Sequence, residues 1–171
     1  MNDTVLRDGD PLQDGDLRLR PVRLPEDLAL ALPWYQDTEV LRFSEGEGTQ
    51  AYDLATVERM YRYLDGCGEL YVIEVETPRG WYPVGDVTLC RDTLPIVIGD
   101  PAYRSRGLGG RVLRLLVQRA TDLGWPELKV KSIFTYNQRS RRLFEGAGFR
   151  LTGGGTDNGG REFWSFSRPL P

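Results

Sequence analysis

Histidine is missing from all 171 residues of this chain. Its absence removes Ser-His-Asp and Cys-His hydrolases, histidine-based proton shuttles and nearly every catalytic zinc site, so no metal is expected. Cysteine is scarce. Cys67 and Cys90 are its two examples, too few and too isolated for a disulfide framework or a metal knuckle, and they read as buried or incidental thiols. No apolar run reaches the roughly 18 residues of a membrane span, and Met1-Asn2-Asp3-Thr4 lacks the basic-then-apolar pattern of a secretory signal. A cytoplasmic protein with no membrane partner is the expectation. An excess of positive charge is lacking too: the net charge of −3 argues against a nucleic-acid binder, which would be basic. Lysine is nearly absent, Lys129 and Lys131 against twenty arginines, and no function attaches to that bias.

What is present describes an ordinary globular chain, 40% hydrophobic and 27% charged, long enough for one domain with a sizeable core. Its charge is unevenly placed. Arg104, Arg106, Arg111 and Arg114 fall within eleven residues and Arg139, Arg141 and Arg142 within four, whereas acids crowd residues 3–16 and 39–47. Two readings fit: solvated faces of opposite sign, or a bipolar site, basic where an anion lies and acidic where a cation enters.

Residues 1–16 hold two Asp-Gly-Asp triplets around Pro11, turn formers that make a loose arm or a short hairpin. A single domain is expected over residues 17–171. Residues 17–22 alternate as a half-exposed strand. Pro25-Glu26-Asp27 opens a helix running to about Leu32, and further helical patterns span 34–43 and 51–64. Residues 70–75 and 84–89, flanking Pro78-Arg79-Gly80, predict an antiparallel hairpin. Residues 95–98 are fully apolar, as in a central strand. Leu108, Val112, Leu115, Leu116, Ala120 and Leu123 recur at helical spacing, closed by Gly124 and Pro126. Residues 128–134 read as a strand and 140–147 as a helix ended by Gly148. A glycine-rich loop, 153–160, precedes a last hairpin strand, 162–166. Strand, helix, strand from Pro95 to Phe134 requires a right-handed parallel crossover. The expected architecture is α/β: a mixed sheet, helices on both faces, and a ligand site near the end of the strand at Ile98.

Arg104-Ser105-Arg106-Gly107-Leu108-Gly109-Gly110-Arg111 joins that apolar strand to the amphipathic helix. Its glycines let the backbone turn tightly and aim several N–H groups at one anion, and the helix N-terminus adds roughly half a positive charge. A diphosphate suits such a turn, with Arg104, Arg106 or Arg111 as counter-charge; a plain glycine-rich turn is the bland reading. A P-loop is excluded because no Gly-Lys occurs, and a dinucleotide fingerprint because Val112 stands where Gly or Ala is needed. Asn137-Gln138-Arg139-Ser140 caps the later helix.

Together, Arg104-x-x-Gly107-x-Gly109 after an apolar strand and the later Asn137-x-x-Ser140-x-x-Leu143-Phe144-Glu145-x-x-Gly148-Phe149 resemble the GNAT superfamily of N-acetyltransferases. Trp34 to Phe43 and Val84-Gly85-Asp86 are similar to its RimJ/RimL-like branch, and the resemblance runs from about Leu17 to Leu170. It implies a GNAT-like fold with acetyl-CoA as cosubstrate, lying where two neighbouring parallel strands, 95–98 and 128–134, splay apart. Ile98 and Asp100 would meet the pantetheine arm. Arg104, Arg106, Gly107, Leu108, Gly109, Gly110 and Arg111 would hold the diphosphate, and Asn137, Ser140 and Phe144 would border the acetyl and pantetheine end. A strand N–H would polarise the thioester carbonyl, and a primary amine would attack it directly, without an acyl-enzyme.

Many members of the family carry tyrosine where Phe144 stands, as proton donor to the leaving thiolate. Phenylalanine cannot fill that role. Ser140, one turn earlier, is the expected substitute, with Tyr136 in reserve; Ser140 is equally readable as a first-turn residue bonded to backbone. A base must be a carboxylate or a water chain, and Glu45, Glu47, Asp86, Asp92 and Asp100 are candidates, each also readable as a surface acid or cap. Glu45 and Asp86 are carried forward with Ser140 as the catalytic set. The acceptor implied is a protein N-terminus or a small cationic amine, served by a monomer or homodimer. A CoA-binding module without turnover is the alternative that Phe144 motivates.

Overall fold

A computed structural model describes residues 9–171; the first Asp-Gly-Asp triplet and the acids before it lie wholly or partly outside them. β1 (Leu12–Asp14) and β2 (Leu17–Pro21) pair as a hairpin. Of the two readings of residues 1–16, the hairpin is what residues 12–21 form, and Leu12 buries all but 3% of its surface. β3 (Gly68–Thr77) and β4 (Gly80–Cys90) make the expected second hairpin. β5 (Ile96–Ile98) ends the order β1-β2-β3-β4-β5, with every pair antiparallel. Period-2 alternation sends Tyr71 and Ile73 of β3 to one buried cluster and Leu70 and Val72 to another, so this sheet is covered on both faces.

One cover consists of α1 (Leu28–Ala31), a 3₁₀ turn (Leu32–Gln36), α2 (Thr38–Ser44) and α3 (Leu54–Cys67), which contribute Leu28, Trp34, Tyr35, Leu41, Val57 and Tyr61. The other is α4 (Leu108–Asp122) with α5 (Gln138–Gly146), contributing Val112, Leu113, Leu116 and Phe144. α1 is shorter than the sequence suggests. The Asp27 carboxylate gives α1 no side-chain cap because it receives both terminal nitrogens of Arg20, at 3.0 Å each, and the Arg23 amide at 2.6 Å. Pro33, lacking an N–H, then turns the chain into the 3₁₀ turn.

A second sheet holds β6 (Glu127–Phe134), β8 (Glu162–Pro169) and β7 (Arg150–Thr156) in the order β6-β8-β7. Two expectations are corrected here. Gly153, Gly154 and Gly155 are strand, not loop: a Cβ on Gly154 would stand 2.6 Å from the Phe163 carbonyl and one on Gly155 3.0 Å from the Phe163 ring, so β7 needs bare backbone to pair with β8. And the α/β class holds without one continuous mixed sheet. Among the described residues no ladder joins β5 to β6, and each sheet is purely antiparallel. β5 is therefore an edge strand, with its outer backbone free of a sheet partner.

Candidate active site

Along that edge lies a cavity of about 470 Å³. Its floor is Ile96, Val97 and Ile98 of β5; its walls are Glu39, Val40, Phe43 and Ser44 of α2, residues 103–110 at the start of α4 except Arg106, and Asn137, Arg139, Ser140, Arg142 and Leu143 at the start of α5. Two helix N-termini therefore meet on one cavity. Gly107 caps α4 in the left-handed region at φ +75°, and Ser105 turns the chain just before it at φ +59°, a conformation rare outside glycine. Among the described residues nothing lies within 4 Å of where a Cβ would stand on Gly107 or Gly110, which leaves room for a ligand beside the first turn of α4, and helix starts draw anions. Gly109 serves packing instead: a Cβ there would press to 3.0 Å on Leu143 of α5.

At the start of α5, Asn137 is 7% exposed; its Oδ1 accepts from the Ser140 amide at 3.1 Å, and its Nδ2 donates to the Phe43 carbonyl at 3.5 Å. Ser140 lines the cavity and its hydroxyl has no hydrogen-bond partner among the described residues, so the back-bonded reading of Ser140 does not describe it. Tyr136 donates its phenol to the Arg42 carbonyl at 2.5 Å, and burial pushes that phenol up from its usual pKa.

The sequence-expected residues divide. Ile98, Arg104, Gly107, Leu108, Gly109, Gly110, Asn137 and Ser140 share the cavity wall. Phe144 does not: it is 3% exposed, edge-on to Phe149 at 5.2 Å within the core. Asp100 caps a short turn through the Ala102 amide and accepts from Tyr82 Oη at 2.9 Å, away from the cavity. Arg106 lies over the Tyr103 ring at 5.4 Å. Arg111 turns to the β1–β2 hairpin, where it donates to the Asp14 and Asp16 carboxylates at 3.1 and 2.7 Å and to the Asp14 carbonyl at 2.7 Å. Arg104 reaches the wall with its guanidinium already engaged, by the Ile98 and Gly99 carbonyls and by Asp37.

Neither base candidate lines the cavity. Asp86, 2% exposed, pairs across the ladder with Val97 and accepts from Tyr35 Oη at 2.7 Å and Tyr61 Oη at 2.6 Å. Desolvation pushes its carboxyl up to about 6 against the pull of the two phenols, and Glu45 adds repulsion. Glu45 ends α2, the helix whose other residues form a wall. Although more than a third of its surface is open to solvent, desolvation raises its carboxyl above the ordinary glutamate value, with the Tyr52 hydroxyl pulling the other way.

The α2 wall and Tyr103 carried no signal in the sequence, whereas Arg139 and Arg142 belong to the basic cluster it showed. The two arginines had a signal: i, i+3 spacing puts them on one face of α5, and neither has a carboxylate or ring partner among the described residues. They are the free cations of the cavity wall.

No described helix is long and apolar enough to cross a membrane. No curated protein sequence matches the chain. Solved structures match it at low identity. Spermidine N-acetyltransferase from Vibrio cholerae, in complex with CoA and spermine, is 16% identical with a TM-score of 0.74, over 92% of this chain and 97% of that one. The aminoglycoside acetyltransferase AAC(6′)-Ib, with coenzyme A and kanamycin, is 18% identical with a TM-score of 0.72, over 90% and 94%. The Salmonella typhimurium acetyl transferase that modifies the N-terminal serine of ribosomal protein L7/L12 is 12% identical with a TM-score of 0.75, over 95% and 100%. At these identities the likeness is one of fold. A family model described as acetyltransferase (GNAT) domain matches residues 16–150, which is most of the chain, and this protein belongs to the GNAT acetyltransferase family.

Proposed function

We propose that the chain is an acetyl-CoA-dependent N-acetyltransferase of the RimJ/RimL-like branch, its domain spanning residues 17–171, that moves an acetyl group directly to a primary amine. The observation that carries the reading is one cavity lined by the start of α4, with open space at Gly107 and Gly110, and by Ser140 at the start of α5, whose hydroxyl has no partner among the described residues. The first holds an anion; the second can move a proton. Between them the free edge of β5 suits an extended arm that needs backbone partners.

In this reading the main-chain amides around Gly107 and Gly110 take the diphosphate of acetyl-CoA, and Arg139 and Arg142 supply the counter-charge that Arg106 and Arg111 direct elsewhere. The pantetheine arm runs along Ile96, Val97 and Ile98, and an outward N–H of β5 stabilises the oxyanion. The amine lone pair attacks the thioester carbon, the C–S bond breaks, and the thiolate takes a proton from Ser140 Oγ. The proton shed by the attacking nitrogen returns to Ser140 Oγ by way of water and Glu45, giving amide and free thiol with the serine hydroxyl restored. Glu45, held above its usual range, receives that proton through water near neutral pH more readily than an ordinary surface glutamate does. Asp86, enclosed by two phenols, ties the 3₁₀ turn and α3 to the sheet.

The acceptor is a small cationic amine or a protein N-terminus. Spermine, kanamycin and an N-terminal serine, named with the structural neighbours, all present primary amines, and Glu39 on the wall gives a cation a carboxylate to meet. Phe144 favours one other reading, a CoA-binding module without turnover, because the core position it fills carries no hydroxyl. A thiol-release assay decides between them. Acetyl-CoA with spermine, kanamycin and a serine-initiated peptide should yield free CoA in at least one arm. Tight CoA binding with no release from any amine supports the binding module.

A further inference from the structure

Resting on the acetyl-CoA reading above, we propose that Arg104 is a positioning residue: it clamps α2, the wall facing the acceptor, onto the end of β5, and it leaves the diphosphate to the main chain. The residue opens the glycine-rich turn, where counter-charge for a phosphate is expected. Its side chain is spent otherwise. Nε donates to the Ile98 carbonyl at 3.0 Å. One terminal nitrogen donates to the Gly99 carbonyl at 3.1 Å and to Asp37 Oδ2 at 3.2 Å. The other faces Glu39 Oε2 at 3.6 Å. Only 17% of the side chain is exposed.

Both acids belong to the start of α2. Asp37 divides its carboxylate: Oδ1 caps the helix through the Glu39 amide at 2.9 Å, and Oδ2 meets Arg104. Burial pulls the Asp37 carboxyl up, but the hydrogen bonds from Arg104 and from the Glu39 and Val40 amides outweigh it and hold it below its ordinary value. The strand side of the junction is equally close. A Cβ on Gly99 would stand 2.1 Å from Cγ of Trp34, so the indole just before α2 already lies against the backbone whose carbonyls Arg104 holds. A planar guanidinium can satisfy two carbonyls and a carboxylate at once, which an ammonium cannot do in that geometry. Reaching a phosphate would break these contacts and release the helix that carries Val40, Phe43 and Ser44 along the cavity.

Two variants test the clamp. Arg104→Gln cannot bridge the carbonyls to Asp37, and Asp37→Asn keeps a good helix cap while losing the charge. Hydrogen exchange of the α2 amides in the ligand-free protein should quicken by about fivefold in each variant, and by no more in the double variant, because one linkage is broken either way. Calorimetry with CoA should give Arg104→Gln a Kd within about twofold of wild type, since no phosphate contact is lost. With whichever of spermine or kanamycin is turned over, KM for the amine should rise while KM for acetyl-CoA holds. Unchanged α2 exchange in both single variants overturns the clamp. So does a loss of CoA affinity of about tenfold or more in Arg104→Gln, the size of one charge-assisted contact, accompanied by tighter CoA binding in Asp37→Asn. A wild-type protein that binds no CoA defeats the acetyl-CoA reading, and the exchange arm still decides whether Arg104 holds α2.

Discussion

At the scale of single residues, the Ser140 hydroxyl is unpaired among the described residues and the Asp86 carboxyl is enclosed. Ser140 touches the cavity without a hydrogen-bond partner, whereas Tyr136, the reserve donor, gives its proton to a backbone carbonyl. Ser140→Ala should lower kcat by about 10²-fold, the low end for a lost general acid, because a thiol of pKa about 8.5 leaves tolerably as thiolate. CoA affinity should hold, and steady-state kinetics beside calorimetry separate the two; an unchanged kcat removes Ser140 as donor. Asp86 makes a prediction about stability. Its carboxyl titrates near 3.8 when exposed and is pushed up to about 6 when buried. Between those values the folded protein keeps a proton that the unfolded chain has released, so this residue's contribution falls as pH rises from about 4 to 6 and is level above. The gap is worth about 3 kcal/mol. Asp86→Asn still accepts from both phenols and does not titrate. Wild-type stability relative to the variant should therefore drop by about that amount across the window, read from urea unfolding at several pH values, whereas a flat difference would mean that the carboxyl is not desolvated. The presence of Ser140 and Asp86 at informative positions was legible in the sequence. Their opposite situations were not, since Asp86 meets Tyr35 and Tyr61 at separations of 51 and 25 residues.

At the scale of elements, what could be read in advance was local periodicity. The spacing of Leu108, Val112, Leu116 and Ala120 gives α4 its buried face, and alternation gives β3 and β4 theirs. What escaped was decided by side chains of neighbouring elements, which local periodicity does not reveal. Gly153 to Gly155 suggest a loop until Phe163 of the neighbouring strand supplies the reason for bare backbone. The start of α1 fails as a carboxylate-capped helix because Arg20 takes the carboxylate that would cap it. The arginines of the glycine-rich turn look alike in the sequence, yet Arg111 is claimed by Asp14 and Asp16, 97 and 95 residues away. Gly99 is the element-scale test. Adding one methyl there drives a Cβ to 2.1 Å from Trp34, so Gly99→Ala should cost about 1–3 kcal/mol of overpacking, a loss of roughly 2–4 °C in Tm for each kcal/mol. Trp34→Leu in the same background should recover part of it by freeing space. A Gly99→Ala protein as stable as wild type would mean that the indole does not rest on that backbone.

At the scale of the whole molecule, two antiparallel sheets stand where one mixed sheet was expected, and the consequence is a strand edge that faces a cavity instead of another strand. α2 brings an acid, Glu39, to one wall, while α4 and α5 bring helix starts and α5 the free arginines. The bipolar placement of charge seen in the sequence thus has a structural counterpart at this cavity, with Glu39 on one wall and Arg139 and Arg142 on another. In the proposed function the donor enters along the free edge of β5, anchored at the start of α4. The measurement that tests this most directly is a crystal structure of the protein with CoA. Diphosphate oxygens should lie within hydrogen-bond distance of the amides around Gly107 and Gly110, with the thiol beside Ser140; CoA seated elsewhere, or its phosphates held by Arg104 and Arg111 with those amides vacant, would contradict the proposed site.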